Sequence, residues 1–425
     1  MTPSSTSYLP TNPKIVAGVA YQLGRQQLVD AQTELNAATW GSGNIAGGLA
    51  AIVPNLLLAS ASATLDIWQG TNAGAQGFFA STANIPIIHQ IAGGNLLANI
   101  LLPSLAGAEM NTAAFLLPLV GLFTGTGSMT PVSNSLSAAM SNTRVYGFVP
   151  VSMKATTEPV VYLSVNGGPS VPVLVDTGSS GLVISYNAVN QNGLGSPTGS
   201  GSITYSGAPT DSYDYNIYTT TVDFGNGIVS GPTSVDVVTQ ADSAAFENFL
   251  SWGADGILGI GANAAGPGPS LPTTSLPGEL SDGVLLYQGL FFGLGGLMIF
   301  GQNAMPVRAS VSGAPDAWLQ VQVNNGAKTT VGSIIDSGGV YGTMLQSIVG
   351  GAVGSTVPAG TKISVYTPDG NTLLYSYTTT SYGSPTVIST GLINTGYYAF
   401  QQGPVYINYA YNNPYGVGST DFNYA

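Results

Sequence analysis

Twice in this chain an apolar run ends on an aspartate and turns at once. The first copy is VPVLVDTGSSG around Asp176, the second SIIDSGGVYG around Asp336, 160 residues later. A carboxylate at the end of a buried strand is costly unless it is paired or hydrogen-bonded. One such turn is commonplace, because Asp, Ser, Thr and Gly are ordinary turn residues. Two copies in the same order are an internal repeat, with each half of the β-rich region placing an acid at a strand end. Each is followed by an apolar stretch that closes on glycine. Gly259 in ADGILGIG lies 83 residues after Asp176, and Gly403 in YYAFQQGPVYI lies 67 after Asp336. Gly178 and Gly338 permit the tight turn and let backbone amides reach the carboxylates.

Composition narrows the chemistry. The chain has no cysteine and one histidine, His89, so thiol catalysis, disulfides, a Ser-His-Asp triad in the β-rich region and multi-histidine metal sites are excluded. His89 reads as structural, and no metal or cofactor is expected. Seven Lys plus Arg against a net charge of −12 argue against nucleic acid as a partner. Any hydrolytic chemistry falls to carboxylates.

The texture changes along the chain. Residues 1–143 read as a helical N-terminal region of targeting or prosegment type. Within it Ile15, Val19, Leu23, Leu28 and Leu35 mark a first helix. IAGGLAAIVPNLLLASASA (45–63) has the look of an export signal, but it lies late and contains Pro54. Residues 94–123 are apolar but broken by Pro103, Glu109 and Pro118, which predicts a packed helical domain rather than a membrane anchor. The small polar stretch at about 124–143 reads as a linker. From there, short Val/Ile/Thr/Tyr runs between Gly and Pro clusters predict an all-β region, with a first hairpin closed on Asn166-Gly167.

The paired Asp-Thr/Ser-Gly turns with their downstream glycines resemble the pepsin-like aspartic proteases. The phrases TTEPVVYLSVNGGPSVPVLVDTGSSGLV and LPTTSLPGELSDGVLLYQG resemble, more narrowly, the mycobacterial aspartic proteases attached to PE-family proteins. The resemblance runs from about Tyr146 to Ala425. Neither a Pro-Glu leader near residues 8–9 nor a Tyr-x-x-x-Asp/Glu signal is found there, so it implies export without naming a route. It implies an all-β, bilobal fold, with a first lobe at 144–305 and a second at 306–425. Asp176 and Asp336 would be the catalytic pair. Thr177 and Ser337 would bond across the lobes, and Ser179 would bond the outer oxygen of Asp176. Where many relatives carry a second hydroxyl, this chain has Gly339. Loss of that donor would raise the Asp336 pKa and move the pH optimum away from strong acid. In GSITYSGAP (201–209) Tyr205 matches the flap tyrosine, with Tyr213 as a rival. Gly259 and Gly403 would support the loops behind the pair, and Asp255 would be structural.

The function so implied is an aspartic endopeptidase. It would be a secreted or cell-surface monomer, associated with the cell envelope, cutting extended polypeptides. The alternatives are an inactive binding module of the same fold and a Gly-rich structural protein of the envelope. The intact aspartates and glycines speak against the first, and the second Asp-Ser-Gly turn speaks against the other.

Overall fold

The computed structural model describes residues 18–205, 212–250, 253–288, 296–409 and 417–425. The described chain forms two compact units. Among the described residues, one is helical and covers 18–147 with Pro277–Leu280; the other is built of strands and falls within Phe148–Leu276 and Ser281–Ala425.

The helical unit contains α1 (Val19–Ala38), α2 (Ile45–Ala50), α3 (Ile52–Ser81), α4 (Pro86–Thr124) and α5 (Thr130–Asn142). Their buried positions step by threes and fours. In α3 the seam is Pro54, Leu58, Ala61, Leu65, Trp68, Asn72, Ala75 and Phe79. In α4 it runs Ala92, Leu96, Asn99, Pro103, Ala106, Met110, Ala113, Leu117 and Val120. A strict three–four alternation keeps one narrow stripe facing the neighbouring helix, as in a coiled coil. Alternate alanines let the backbones approach. Trp68 anchors the seam, with Tyr21 5.2 Å and Tyr146 6.0 Å from its ring centroid. Glu279 belongs to this unit, where its carboxylate accepts from the Tyr21 amide at 3.1 Å. His89 stacks on Phe79 at 4.1 Å.

Two sequence expectations are corrected here. The fold is mixed α and β, not all-β: helices of 20, 30 and 39 residues form a unit of their own. Residues 126–142, read as linker, are a 3₁₀ turn and α5. Their small side chains put Val132, Leu136 and Ala139 at seam spacing, so a polar composition still buries a stripe. Pro103 and Pro118 do not end α4. Pro103 is buried on the seam, where packing against α3 offsets the lost backbone bond. By length and composition α4 is long and apolar enough to cross a membrane.

In the β unit, β1 (Tyr146–Lys154), β2 (Glu158–Val165) and β3 (Val171–Asp176) form an antiparallel meander. Residues 166–170 connect β2 to β3, and the connection opens on a tight turn with Asn166 at φ +53° and Gly167 at φ +66°, closed by Gly168 N donating to Val165 O at 2.9 Å. These strands, with β4 (Ser180–Ile184), β5 (Gly199–Ile203) and β6 (Tyr213–Thr220), lie in a 14-stranded sheet. A separate five-stranded sheet carries the second aspartate.

The wiring around the two aspartates is the same. Strand β3 is antiparallel to β2 on one side and parallel to Gly256–Ile260 on the other, with Asp176 opposite Gly259. The strand Lys328–Ile334 is antiparallel to Asp316–Val323 and parallel to Ile393–Asn394, with Ile334 opposite Asn394. The second hairpin also turns on an asparagine, Asn324, at φ +53°. The duplication therefore extends beyond the Asp-Thr/Ser-Gly motif to the hairpin before it.

Candidate active site

Each aspartate leaves its strand into a turn that folds its own amide back on the carboxylate. Gly178 N donates to Asp176 Oδ1 and Gly338 N to Asp336 Oδ1, both at 2.8 Å. The two turns then interlock. Thr177 Oγ1 donates to Ile335 O at 2.6 Å and accepts from Ser337 N at 2.8 Å. Ser337 Oγ donates to Val175 O at 2.7 Å and accepts from Thr177 N at 3.0 Å. Four buried bonds thus tie the halves together in a reciprocal pattern.

The glycines show how closely the carboxyls meet. A Cβ built on Gly178 would lie 2.6 Å from Asp336 Cγ, and one on Gly338 would lie 3.0 Å from Asp176 Oδ1. Each turn leaves room for the opposite acid, and any side chain at Gly178 would push Asp336 away. Both aspartates are nearly closed to solvent, at 8% and 9% exposure. Burial pushes the Asp336 carboxyl well above its ordinary range, and Asp176 at hydrogen-bond range pushes it further.

The outer oxygens are held differently. Ser179 Oγ donates to Asp176 Oδ2 at 2.5 Å. Gly339 has nothing to offer, but Asn394 Nδ2 donates to Asp336 Oδ2 at 2.5 Å. The expected lack of a side-chain donor at Asp336 is therefore corrected. No sequence reading pointed to Asn394.

The downstream glycines also differ from expectation. Gly259 lies behind the first turn, where a Cβ would come within 2.6 Å of Ser180 N. Gly403 has no such role: the atoms nearest a Cβ there stand at 3.5 Å, on Asn423 and Ala425. Continuing the parallel register from Ile334 and Asn394 puts Gly396 opposite Asp336. A Cβ on Gly396 would meet Val340 O and Tyr341 C at 2.7 Å. Gly396 is thus the counterpart of Gly259.

Tyr205 follows β5 directly and stacks on Phe249 at 5.9 Å, against the cluster of Leu174, Val183, Phe246 and Ile257. Its hydroxyl is buried with no hydrogen-bond partner among the described residues. Burial raises its pKa, and Asp176 and Asp236 add to the rise. Tyr213, the rival, is a core residue of the same cluster. The remainder of the flap phrase, 206–209, lies outside the described residues. Asp255 stands apart from the pair; its amide donates to Pro172 O and its carbonyl accepts from Ser185 N, both at 2.8 Å.

Two further acids adjoin the site. Burial pushes Glu158 up to about 7, with Asp176 adding to the rise. Asp236, fully buried on the strand Thr233–Val238, is also pushed up to about 7 by burial. Neither Asp236 oxygen has a partner among the described residues. Among those residues no group of three His, Cys, Asp or Glu side chains could hold a metal.

These raised acids set a sign for stability. An acid whose folded pKa exceeds its unfolded value stabilises the fold fully below the unfolded pKa, and that contribution is lost as pH rises through the folded one. Asp282 and Asp421, each raised to about 6 by burial, act in the same direction. Thermal unfolding should therefore shift to lower temperature between about pH 4 and 8. Asp236→Asn, neutral throughout, should flatten part of that slope. A Tm that climbs across this window would contradict the assignment.

Two buried carboxyls, each cradled by its own turn and facing the other, are the layout of an aspartyl peptidase-like domain. Residues 147–420 match the PE-PGRS C-terminal aspartyl peptidase-like domain family, and the chain belongs to that family. PE cleavage protein A of Mycobacterium tuberculosis (strain ATCC 25618 / H37Rv) is 42% identical over 301 residues, 65% of this chain and 51% of that protein. The protein of the same name from Mycobacterium marinum is 44% identical over 300 residues, 65% and 52% of the two chains. The chain thus spans about half the length of the curated relatives it matches. Among solved structures, the aspartic proteinase from Irpex lacteus is similar at 14% identity and a TM-score of 0.44, over 65% of this chain and 97% of that one.

Proposed function

We propose that the protein is an aspartic endopeptidase in which Asp176 and Asp336 together activate one water molecule. One observation carries the reading: each turn's glycine leaves the space that the opposite carboxyl fills. At roughly 4 Å and an effective dielectric near 20, two carboxylates repel by about 4 kcal/mol. That is about three pKa units, so the pair retains one proton over an acidic window.

The ionised member takes a proton from the water as its oxygen attacks the peptide carbonyl. The protonated member gives its proton to the carbonyl oxygen, leaving a neutral tetrahedral diol. Collapse returns a hydroxyl proton to one carboxylate. The other proton goes to the departing amine, the C–N bond breaks, and the pair again holds one proton. The chain's lobes at about 144–305 and 306–425 would flank an extended polypeptide, bound by strand-like hydrogen bonds. Tyr205 would lie at the base of the flap. The name of its relatives, PE cleavage protein A, supports protein cleavage as the reaction, and we place that cleavage on exported or cell-surface proteins.

A peptide library incubated at about pH 4–6 should be cut at discrete sites. A statine-type peptide, which mimics the tetrahedral diol, should block the cutting, and a metal chelator should leave it unchanged. Cutting that persists in saturating statine inhibitor would overturn the mechanism.

A further inference from the structure

We propose that Asn394 is the positioning residue of Asp336, supplying from a neighbouring strand the donor that the second turn lost at Gly339. The inference rests on the aspartic-peptidase reading above.

The first turn holds its acid with its own hydroxyl, three residues on, at Ser179. The equivalent third residue after Asp336 is Gly339. Its φ lies outside the left-handed range, so its backbone would accept a side chain. Asn394 forbids one: a Cβ on Gly339 would lie 2.2 Å from Asn394 Oδ1 and 2.8 Å from its Nδ2. The amide occupies the space a hydroxyl at 339 would need, and it makes the bond that hydroxyl would make. Gly339 and Asn394 are thus a matched pair, and each excludes the usual arrangement.

The amide is fixed at both ends. Oδ1 accepts from Gly396 N at 2.8 Å, which turns the NH₂ toward the carboxylate at 2.5 Å. Asn394 N donates to Thr343 Oγ1 at 2.9 Å, and the strand is held in register by Ile334. A consequence follows from donor chemistry. A serine hydroxyl can donate or accept, whereas a carboxamide NH₂ only donates. Asp176 Oδ2 can therefore carry a proton against Ser179, while Asp336 Oδ2 is held as an acceptor. The two outer oxygens are not equivalent. The ionisable groups around the pair are the two aspartates themselves, with Glu158 and Tyr205 on the Asp176 side.

The test is a swap in the full chain: Asn394→Ala, Gly339→Ser and the double variant. Two quantities are read: Asp336 titration by ¹³C-carboxyl NMR, assigned with Asp336→Asn, and the pH profile of kcat/KM. Loss of the amide should raise the Asp336 pKa by about one unit and lower kcat roughly tenfold to a hundredfold. Gly339→Ser alone should also be impaired, because its side chain meets Asn394. The double variant should recover both readouts to within a few-fold, with the hydroxyl now in the vacated space. If Asn394→Ala fails to fold, the near-isosteric Asn394→Asp replaces the donor with an acceptor and should raise the pKa further. An unmoved titration, or a double variant as poor as the two losses multiplied, overturns the proposal. If the wild type cuts no peptide, the protease reading fails, and the NMR titration still decides the role of Asn394.

Discussion

Asp176→Asn should lower peptide cleavage by roughly 10³–10⁴-fold, and Asp336→Asn should do the same, because each removes one proton carrier from a two-carrier step. Their effects on stability should differ. At Asp176 an asparagine can still accept from Gly178 N, and its NH₂ can donate to Ser179, whose hydroxyl rotates to accept. The buried repulsion between the acids also disappears, so Tm near neutral pH should hold or rise. At Asp336 the new NH₂ would face the NH₂ of Asn394, which Gly396 N keeps from turning over. Two donors facing each other in a buried site should cost about 1–3 kcal/mol. Activity and denaturant unfolding of both variants check this. Equal Tm losses for the two would refute the asymmetry, and surviving cleavage in either would refute the shared-water mechanism.

Thr177→Val should be the most destabilising conservative change in the β unit. It removes two buried bonds at once and strands Ser337 N and Ile335 O without partners. Each orphaned buried group costs about 1–3 kcal/mol, which sums to roughly 2–6 kcal/mol. Thr177→Ser keeps the hydroxyl and should recover most of the loss. Because the same bonds set the distance between the two aspartates, kcat should fall with stability in Thr177→Val. An unfolding free energy within about 0.5 kcal/mol of wild type, on the scale of an ordinary surface change, would show that the interlock carries little.

What could be read from the sequence was what lies within a few residues of chain. The Asp-Thr/Ser-Gly turns are local, and so is the Asn166-Gly167 hairpin. Asn394 was not legible, because it reaches Asp336 across 58 residues and only strand register brings them together. Gly396 was hidden for a related reason. Its approach, Ile393-Asn394-Thr395, is polar where the approach to Gly259 is aliphatic, so the pattern of an apolar run before a glycine points to Gly403 instead. In the helices, large apolar residues were the wrong guide. Val19 is 88% exposed and Leu23 51%, while Tyr21, Gly24, Leu28, Ala31 and Leu35 are buried. Ile15 lies outside the described residues. The seam alternates large apolar residues with alanine, glycine and asparagine, and hydropathy alone does not flag the small and polar members. Leu28 and Leu35 were recognised because they are both large and in phase.

The crossed threonine and serine also have a temporal meaning. As the chain is synthesised, Asp176 emerges from the ribosome long before the residues that complete its surroundings. The amide of Thr177 waits for Ser337, and the second acid waits for a strand that ends at Asn394. A chain that stops before Asn394 therefore carries an acid without its proposed proton partner. Under the proposed mechanism, cutting power would arrive only after the second turn and its supporting strand have been made, long after the first turn is complete.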